Sequence, residues 1–331
     1  MMITIIAKRG IIALTTIFVG VLLTFVLFNI APGDPCHTWA MQLVERQGIP
    51  YELAYKRAVE MWGYDPRKPI YQRFIEYIKG LLHGDLGYSR TYQMSTNRII
   101  AKTLPWTVFV VSISLLLSFS LGIILGALIA WRRKGVLDSV VTGFASIMSA
   151  TPAYLIALIL LAFLGVRLKW FPVRGAYDIT FTPGFNIPFI LNCLYHGALP
   201  ILSYVLEAVG GWTLAMKGST ISVLGEDYIT AARARGLKER RIAISYAGRN
   251  SILPLVTSLA ISLGAMFGGA VLVETVFSYP GIGRFFALAV GQRDFGAIQG
   301  LFFVTITAMI VANFLADLLY AKLDPRIRLG K

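Results

Sequence analysis

The strongest constraint on this chain is a series of apolar runs, each about 20 residues or more, set between short polar or basic stretches. The first, Gly10 to Ile30, contains no ionisable residue. A helix rising 1.5 Å per residue needs about 20 residues to cross the hydrocarbon core of a bilayer. Lipid offers no hydrogen-bond partners, so each run must satisfy its own backbone, and the fold is expected to be all-α. Six transmembrane helices are predicted, at about 10–30, 105–131, 136–166, 196–216, 252–277 and 296–320. The third is long enough to be tilted or broken near Thr151-Pro152. Only 15% of the 331 residues are charged and 56% are hydrophobic. A soluble domain carries about a quarter charged residues, so a disordered tail and an ordinary soluble enzyme are excluded. Met1–Ile30 reads as a retained span, because its apolar stretch is too long for a signal peptide and Pro-Gly-Asp-Pro follows it.

The net charge of +14 fits basic loops beside anionic headgroups better than a nucleic-acid surface. With the N-terminus placed in the cytoplasm, one face holds Lys8, Arg9, Arg132, Arg133, Lys134, a group from Lys217 to Arg249, and Lys322, Arg326, Arg328 and Lys331. The other face holds nearly as many basic residues over roughly twice the length, most of them in a loop too long to weigh strongly in the positive-inside rule. The expected arrangement is therefore a multi-pass cell-membrane protein with both termini cytoplasmic.

Four regions follow: an N-terminal tail and first span at 1–30, an extracellular segment at 31–104, a transmembrane core at 105–320 with a cytoplasmic loop at 218–250, and a tail at 321–331. In the extracellular segment Ile70, Phe74, Ile78, Leu81 and Leu82 recur at helical spacing with Arg73, Glu76 and Lys79 interleaved. That pattern predicts an amphipathic helix lying on the membrane or against the spans. A second helix is expected from Glu52 to Trp62. Small residues four apart, Gly122/Gly126 and Gly264/Gly268, would let helices approach closely.

The informative loop lies between the fourth and fifth spans. Glu226 and Asp227 stand where a helix begins, suiting the positive end of its dipole. Tyr228, Ala231, Ala232, Arg233 and Arg235 follow, and Gly236 before Leu237 can take the left-handed conformation that stops a helix. A second short helix then leads through Arg249 to Pro254. This predicts a helix–turn–helix knob with a low-relief face and flanking arginines.

The spacing of Ala231-Ala232, Gly236 and Leu253-Pro254 resembles the EAA loop of binding-protein-dependent ABC importer permeases. Pro32-Gly33-Asp34-Pro35, Gly84-Asp85-Leu86-Gly87-Tyr88-Ser89, Glu274 to Arg284 with Pro280, Gly281 and Gly283, Arg293-Asp294-Phe295 and Asp324-Pro325-Arg326-Ile327-Arg328 extend the likeness over residues 8–329. Together they resemble the first permease subunit of the dipeptide/oligopeptide branch. The resemblance implies a type I importer permease (MetI-like) fold, with the loop as the coupling helix that fits a groove on an ATP-binding subunit. It also implies a second permease subunit, two ATP-binding subunits carrying ATP and Mg, an extracellular solute-binding protein, and no cofactor or metal on this chain. Tyr279, where peptide-transporting members usually have Trp, and Leu214, near which they have a basic residue, look more like oligosaccharide-serving members. The implied cargo is thus an oligopeptide or an oligosaccharide.

No Gly-x-x-x-x-Gly-Lys-[Ser/Thr] phosphate loop occurs; the only Gly-Lys pair is Gly330-Lys331, so ATP hydrolysis is assigned to partner chains. His37, His83 and His196 are scattered and no hydrolase motif lies in a span, which excludes an intramembrane enzyme. An ion-gradient-driven carrier is the alternative, but such carriers have no use for the basic loop. Ionisable residues in spans default to function or pairing. Asp138 and Asp317 are placed at interfaces, and Glu274 is read as a latch to Arg284. Glu207, with Tyr204 and Trp212 on the fourth span, is assigned to the substrate path. Cys36 and Cys193 have neither CxxC spacing nor His partners, and are expected to be unrelated thiols.

Overall fold

The computed structural model describes residues 2–30, 34–62, 65, 67–132 and 135–323; the side chains of 2–6, 35, 61–62, 257, 260, 263–269 and 315–323 lie outside that description. Pro32-Gly33, Gly264/Gly268, Asp317 and the 324–331 motif therefore fall outside it, at least in their side chains. The chain is almost wholly helical, as the backbone argument requires, with α1 at Met2–Ile30, α2 at Pro35–Gln47, α3 at Tyr51–Trp62 and α4 at Ile70–Leu82. A hairpin of two two-residue strands, β1 (Tyr88–Ser89) and β2 (Met94–Ser95), precedes α5 (Thr96–Trp131). Then come α6 (Val136–Ala150), α7 (Ala153–Leu160) continuing as a π-helix to Arg167, and α8 (Ile187–Leu224). The loop contributes α9 (Asp227–Ala234), α10 (Glu239–Arg241), a π-helical turn Ile242–Gly248 and α11 (Arg249–Ser251), followed by α12 (Leu253–Val276), α13 (Ile282–Gly291) and α14 (Phe295–Leu323).

Among the described residues four helices are long and apolar enough to cross a membrane, within α1, α5, α8 and α14, and α6 with α7 and its π-helical extension makes a fifth bent by 101°. The bend falls at Thr151-Pro152, where the sequence expects a break. Pro152 has no N–H to continue a helix and pushes Thr151 into an extended conformation, φ −100° and ψ 118°. The expected fifth span coincides with α12, a 24-residue helix. The second and fourth spans run longer than drawn: α5 begins at Thr96 and α8 reaches Leu224. At 36 and 38 residues they reach about 55 Å, well past 30 Å of hydrocarbon.

The helix pair α5–α8 is the spine. Both helices bury hydroxyls, Thr103, Thr107, Ser114 and Ser118 on α5 and Ser203 and Thr213 on α8. Ser114 Oγ lies 2.7 Å from the Val110 carbonyl in its own helix and 3.4 Å from that of Ile201 across the seam. Gly122 and Gly126 are where α8 comes closest. A Cβ on Gly126 would stand 2.7 Å from that of Met216, and one on Gly122 would strike the Trp212 side chain. This is the close approach expected of small residues four apart. Gly210 serves α6 likewise, since its Cβ would meet the Ala145 carbonyl and, at 2.7 Å, the Ser149 amide. Outward-facing Leu116, Ile124, Ile147 and Ile159 are more than half exposed, as lipid-facing residues are.

One end of the bundle carries α2–α4 and the hairpin; the other carries the α9–α11 knob. The amphipathic helix α4 lies against a span: Phe74 packs edge-on to Phe18 and Phe25 of α1, and Tyr77 stacks on Phe25. The sequence reading missed α2, which is capped by Asp34 accepting the His37 amide and ended by Gly48 at φ +65°. With α3 it closes a small core around Cys36, Ala40, Ala54, Tyr55 and Ala58. Burial, reinforced by Asp34 and Asp65, pushes the Cys36 thiol up to about 12, so at neutral pH it behaves as a packed apolar group. Cys193 is a second buried thiol on α8.

Candidate functional site

Two features stand out, a knob at one end and a cavity within the bundle, and α8 belongs to both. The knob starts at Glu226, which occupies the N-cap position in extended conformation without a side-chain cap bond, and Asp227 is the first helical residue. At the other end Gly236 takes φ +71°. The Leu237 amide donates to the Ala232 carbonyl at 3.3 Å and the Gly236 amide to the Arg233 carbonyl at 2.9 Å. These paired bonds form the Schellman stop that the glycine foreshadowed. Ile229, Ala232, Ile242 and Ala247 form the knob's own buried core, against which Trp131 at the end of α5 and Leu237 pack.

Ala232 therefore faces inward, 3% exposed, and is not part of an outer small-residue surface. That surface is Ala231 and Ala234, with Arg233, Arg235 and Gly236 exposed beside them. Arg233 Nε stands 3.4 Å from Glu239, and Tyr228, exposed, accepts from Asn250 Nδ2 at 3.1 Å. The expected second helix is instead two short turns around a π-helical segment. Ser219 Oγ donates to the Ser251 carbonyl at 2.7 Å, clasping the last turns of α8 to α11, just before α12 begins.

The cavity measures about 630 Å³. Tyr204, Glu207, Gly211 and Ala215 contribute one stripe of α8 at helical spacing; Ser258, Ser262 and Val273 come from α12, and Pro152 and Tyr154 from the bend. Sequence reasoning placed Tyr204, Glu207 and Trp212 together, and all three line it. Trp212 is mostly a wedge, 8% exposed and edge-on to Phe119. The walls from the bend and α12 were missed. Thr151-Pro152 signalled a broken helix but not what the break faces.

Beyond the cavity lining, α8 is tied to α6 by Lys217, whose Nζ lies 2.6 Å from Asp138 and 2.8 Å from Thr142 Oγ1. Asp138 is thus paired between helices and not merely interfacial. At the hairpin end Glu274, 1% exposed, accepts from Thr107 Oγ1 at 2.6 Å and from the Arg284 amide at 3.1 Å. The latch to Arg284 runs through its backbone; the guanidinium turns to the Ser278 carbonyl at 2.8 Å. Gly281 and Gly283 are required by close approach, the first to the Glu274 carboxylate and the second to the Val271 backbone. Pro280 leads into this turn from Tyr279, fully buried with its ring edge-on to Trp106.

Two sequence motifs 200 residues apart meet here as well. Asp294, 2% exposed at the start of α14, accepts from Ser89 Oγ at 2.6 Å, the Thr91 amide at 2.9 Å and the Ala297 amide at 3.3 Å. Gly296 and Gly300 leave room for the Tyr88 and Leu86 carbonyls.

Residues 122–329 match the family of binding-protein-dependent transport system inner membrane components. The chain is 31% identical to a di/tripeptide transport system permease protein of Pseudomonas aeruginosa, over 99% of each chain. It is 30% identical to an oligopeptide transport system permease protein of Bacillus subtilis (97% of this chain, 98% of that one). A dipeptide transport system permease protein of Escherichia coli is 32% identical over 94% of this chain and 95% of its own.

Proposed function

The chain belongs to the inner-membrane components of binding-protein-dependent transport systems, a permease of the dipeptide/oligopeptide branch of ABC importers, and from that premise we propose how its parts divide the task. It is the first of two permease subunits and supplies half of the translocation pathway, with Tyr204, Glu207 and Trp212 on its wall. The second subunit supplies the other half. Two ATP-binding subunits, which hold ATP and Mg, seat the knob at 226–250. An extracellular solute-binding protein delivers cargo to the face carrying α2–α4, and both termini lie in the cytoplasm.

The observation that carries this reading is the knob's attachment. It hangs between α8 and α12, the two helices that contribute most of the cavity wall, and the Ser219–Ser251 bond holds α11 to α8 at its base. A partner that moves the knob therefore acts directly on α8 and α12. Nucleotide-driven closure of the ATP-binding subunits, binding one knob position better than the other, biases the cavity between its two openings. The chain's role is coupling, not catalysis.

We assign a peptide cargo in preference to an oligosaccharide. The relatives named above are peptide permeases. The two sequence departures that suggested sugars, Tyr279 and Leu214, lie away from the cavity lining among the described residues. The test is uptake of a labelled tripeptide into proteoliposomes holding the whole transporter. Uptake should require ATP on the knob side and persist with every ion gradient collapsed. Uptake that follows an ion gradient without ATP would establish a carrier instead.

A further inference from the structure

Among the described residues Glu207 is the one charged side chain on the cavity wall, and its surroundings suggest what it meets. It is half-buried, and among the described residues its carboxylate has no hydrogen-bond or ion-pair partner. The polar groups sharing the wall are neutral: Tyr154, Tyr204, Ser258 and Ser262. Gly211, the next position along the stripe, leaves open space where a side chain would stand. A carboxylate held in a membrane-embedded wall is costly unless a cation or hydrogen-bond donors compensate it. Elsewhere in the bundle this chain meets that requirement: Asp138 has the Lys217 cation, and Glu274 has the Thr107 hydroxyl and a backbone amide.

We infer that Glu207 is the specificity-determining residue of the passage, a transient partner for a primary ammonium on the cargo, so that the permease itself favours cargo with a free amine over cargo with that amine masked. Resting on the importer reading above, the inference adds a charge filter inside the membrane to whatever the binding protein selects. Trp212, mostly buried, offers little ring face for a sugar, which leaves the carboxylate as the wall's strongest recognition element.

The experiment uses the whole transporter in proteoliposomes with saturating binding protein, and compares ATP-driven uptake of trialanine with that of N-acetyl-trialanine. Wild type should prefer the free amine, and E207Q should narrow that preference about tenfold, the scale of one charge-assisted hydrogen bond. The same binding protein serves both variants, so a changed ratio belongs to this chain. A second arm acts after folding. E207C is modified by an anionic or a cationic methanethiosulfonate, with wild type as control because Cys36 and Cys193 are buried. The anionic reagent should restore the preference and the cationic one abolish it. An unchanged ratio in E207Q with uptake intact, or identical behaviour with the two reagents, overturns the inference and leaves the importer reading standing. Failure of wild type to take up either peptide on ATP removes both.

Discussion

Asp294 shows how much one buried carboxylate can organise. It gathers donors from a hairpin 205 residues away and from its own helix start, so its removal strands the buried Ser89 hydroxyl and Ala297 amide together with two part-buried amides, those of Arg90 and Thr91. Asp294→Ala should cost about 3 kcal/mol, given 1–3 kcal/mol for each buried donor left unsatisfied and partial rescue by water. The expected signature is faster amide exchange and proteolysis confined to residues 84–97, with α5–α8 protection unchanged; uniform loss of protection would show that Asp294 supports the bundle and not the hairpin alone. The motifs around Ser89 and Asp294 were visible in the sequence, yet their mutual contact was not. The contact depends on tertiary approach between segments with no shared periodicity. Similarly, Glu274 was legible as a latch, while its partner atom, a backbone amide, could not be read from side-chain chemistry.

At the scale of elements, α9 was readable because each end carries a local signal, Glu226-Asp227 at one and Gly236 at the other. Which alanine faces out was not taken from the sequence, although Ile229 and Ala232 lie three apart on one helical face and so share the knob's core. The inward and outward positions give a paired expectation. Ala232→Trp overpacks that core and should destabilise the knob by about 1–3 kcal/mol, seen as protease sensitivity at 226–250. Ala231→Trp leaves the knob intact but should abolish co-purification with the ATP-binding subunits and reduce ATP-driven uptake at least tenfold. Equal losses of knob order in both variants would contradict the assignment of faces. Helix α2 escaped detection because its apolar face is short and built of Cys36 and Ala40, residues that stand out only once α3 covers them. The break at Thr151-Pro152 was legible because proline's missing donor acts locally.

Across the whole molecule, the apolar runs made the helical membrane architecture plain, since lipid leaves the backbone few alternatives. Of the cavity only the α8 residues Tyr204, Glu207 and Trp212 were legible, because the cavity itself arises only when α8, α12 and the bend at Pro152 are brought together. Its physical link to the knob, on which the proposed coupling rests, is likewise a property of the assembled chain: α8 is long enough to line the cavity and also reach the loop that carries α9. The most direct measurement of that coupling places a single cysteine at Ala234, exposed on α9, in the complete transporter and follows cross-linking to the ATP-binding subunits with and without ATP. A cross-link to an ATP-binding subunit whose yield changes on nucleotide binding is the expected result. A residue that cross-links to no protein partner in either state, while ATP-driven uptake proceeds normally, would contradict the knob's role as the coupling element.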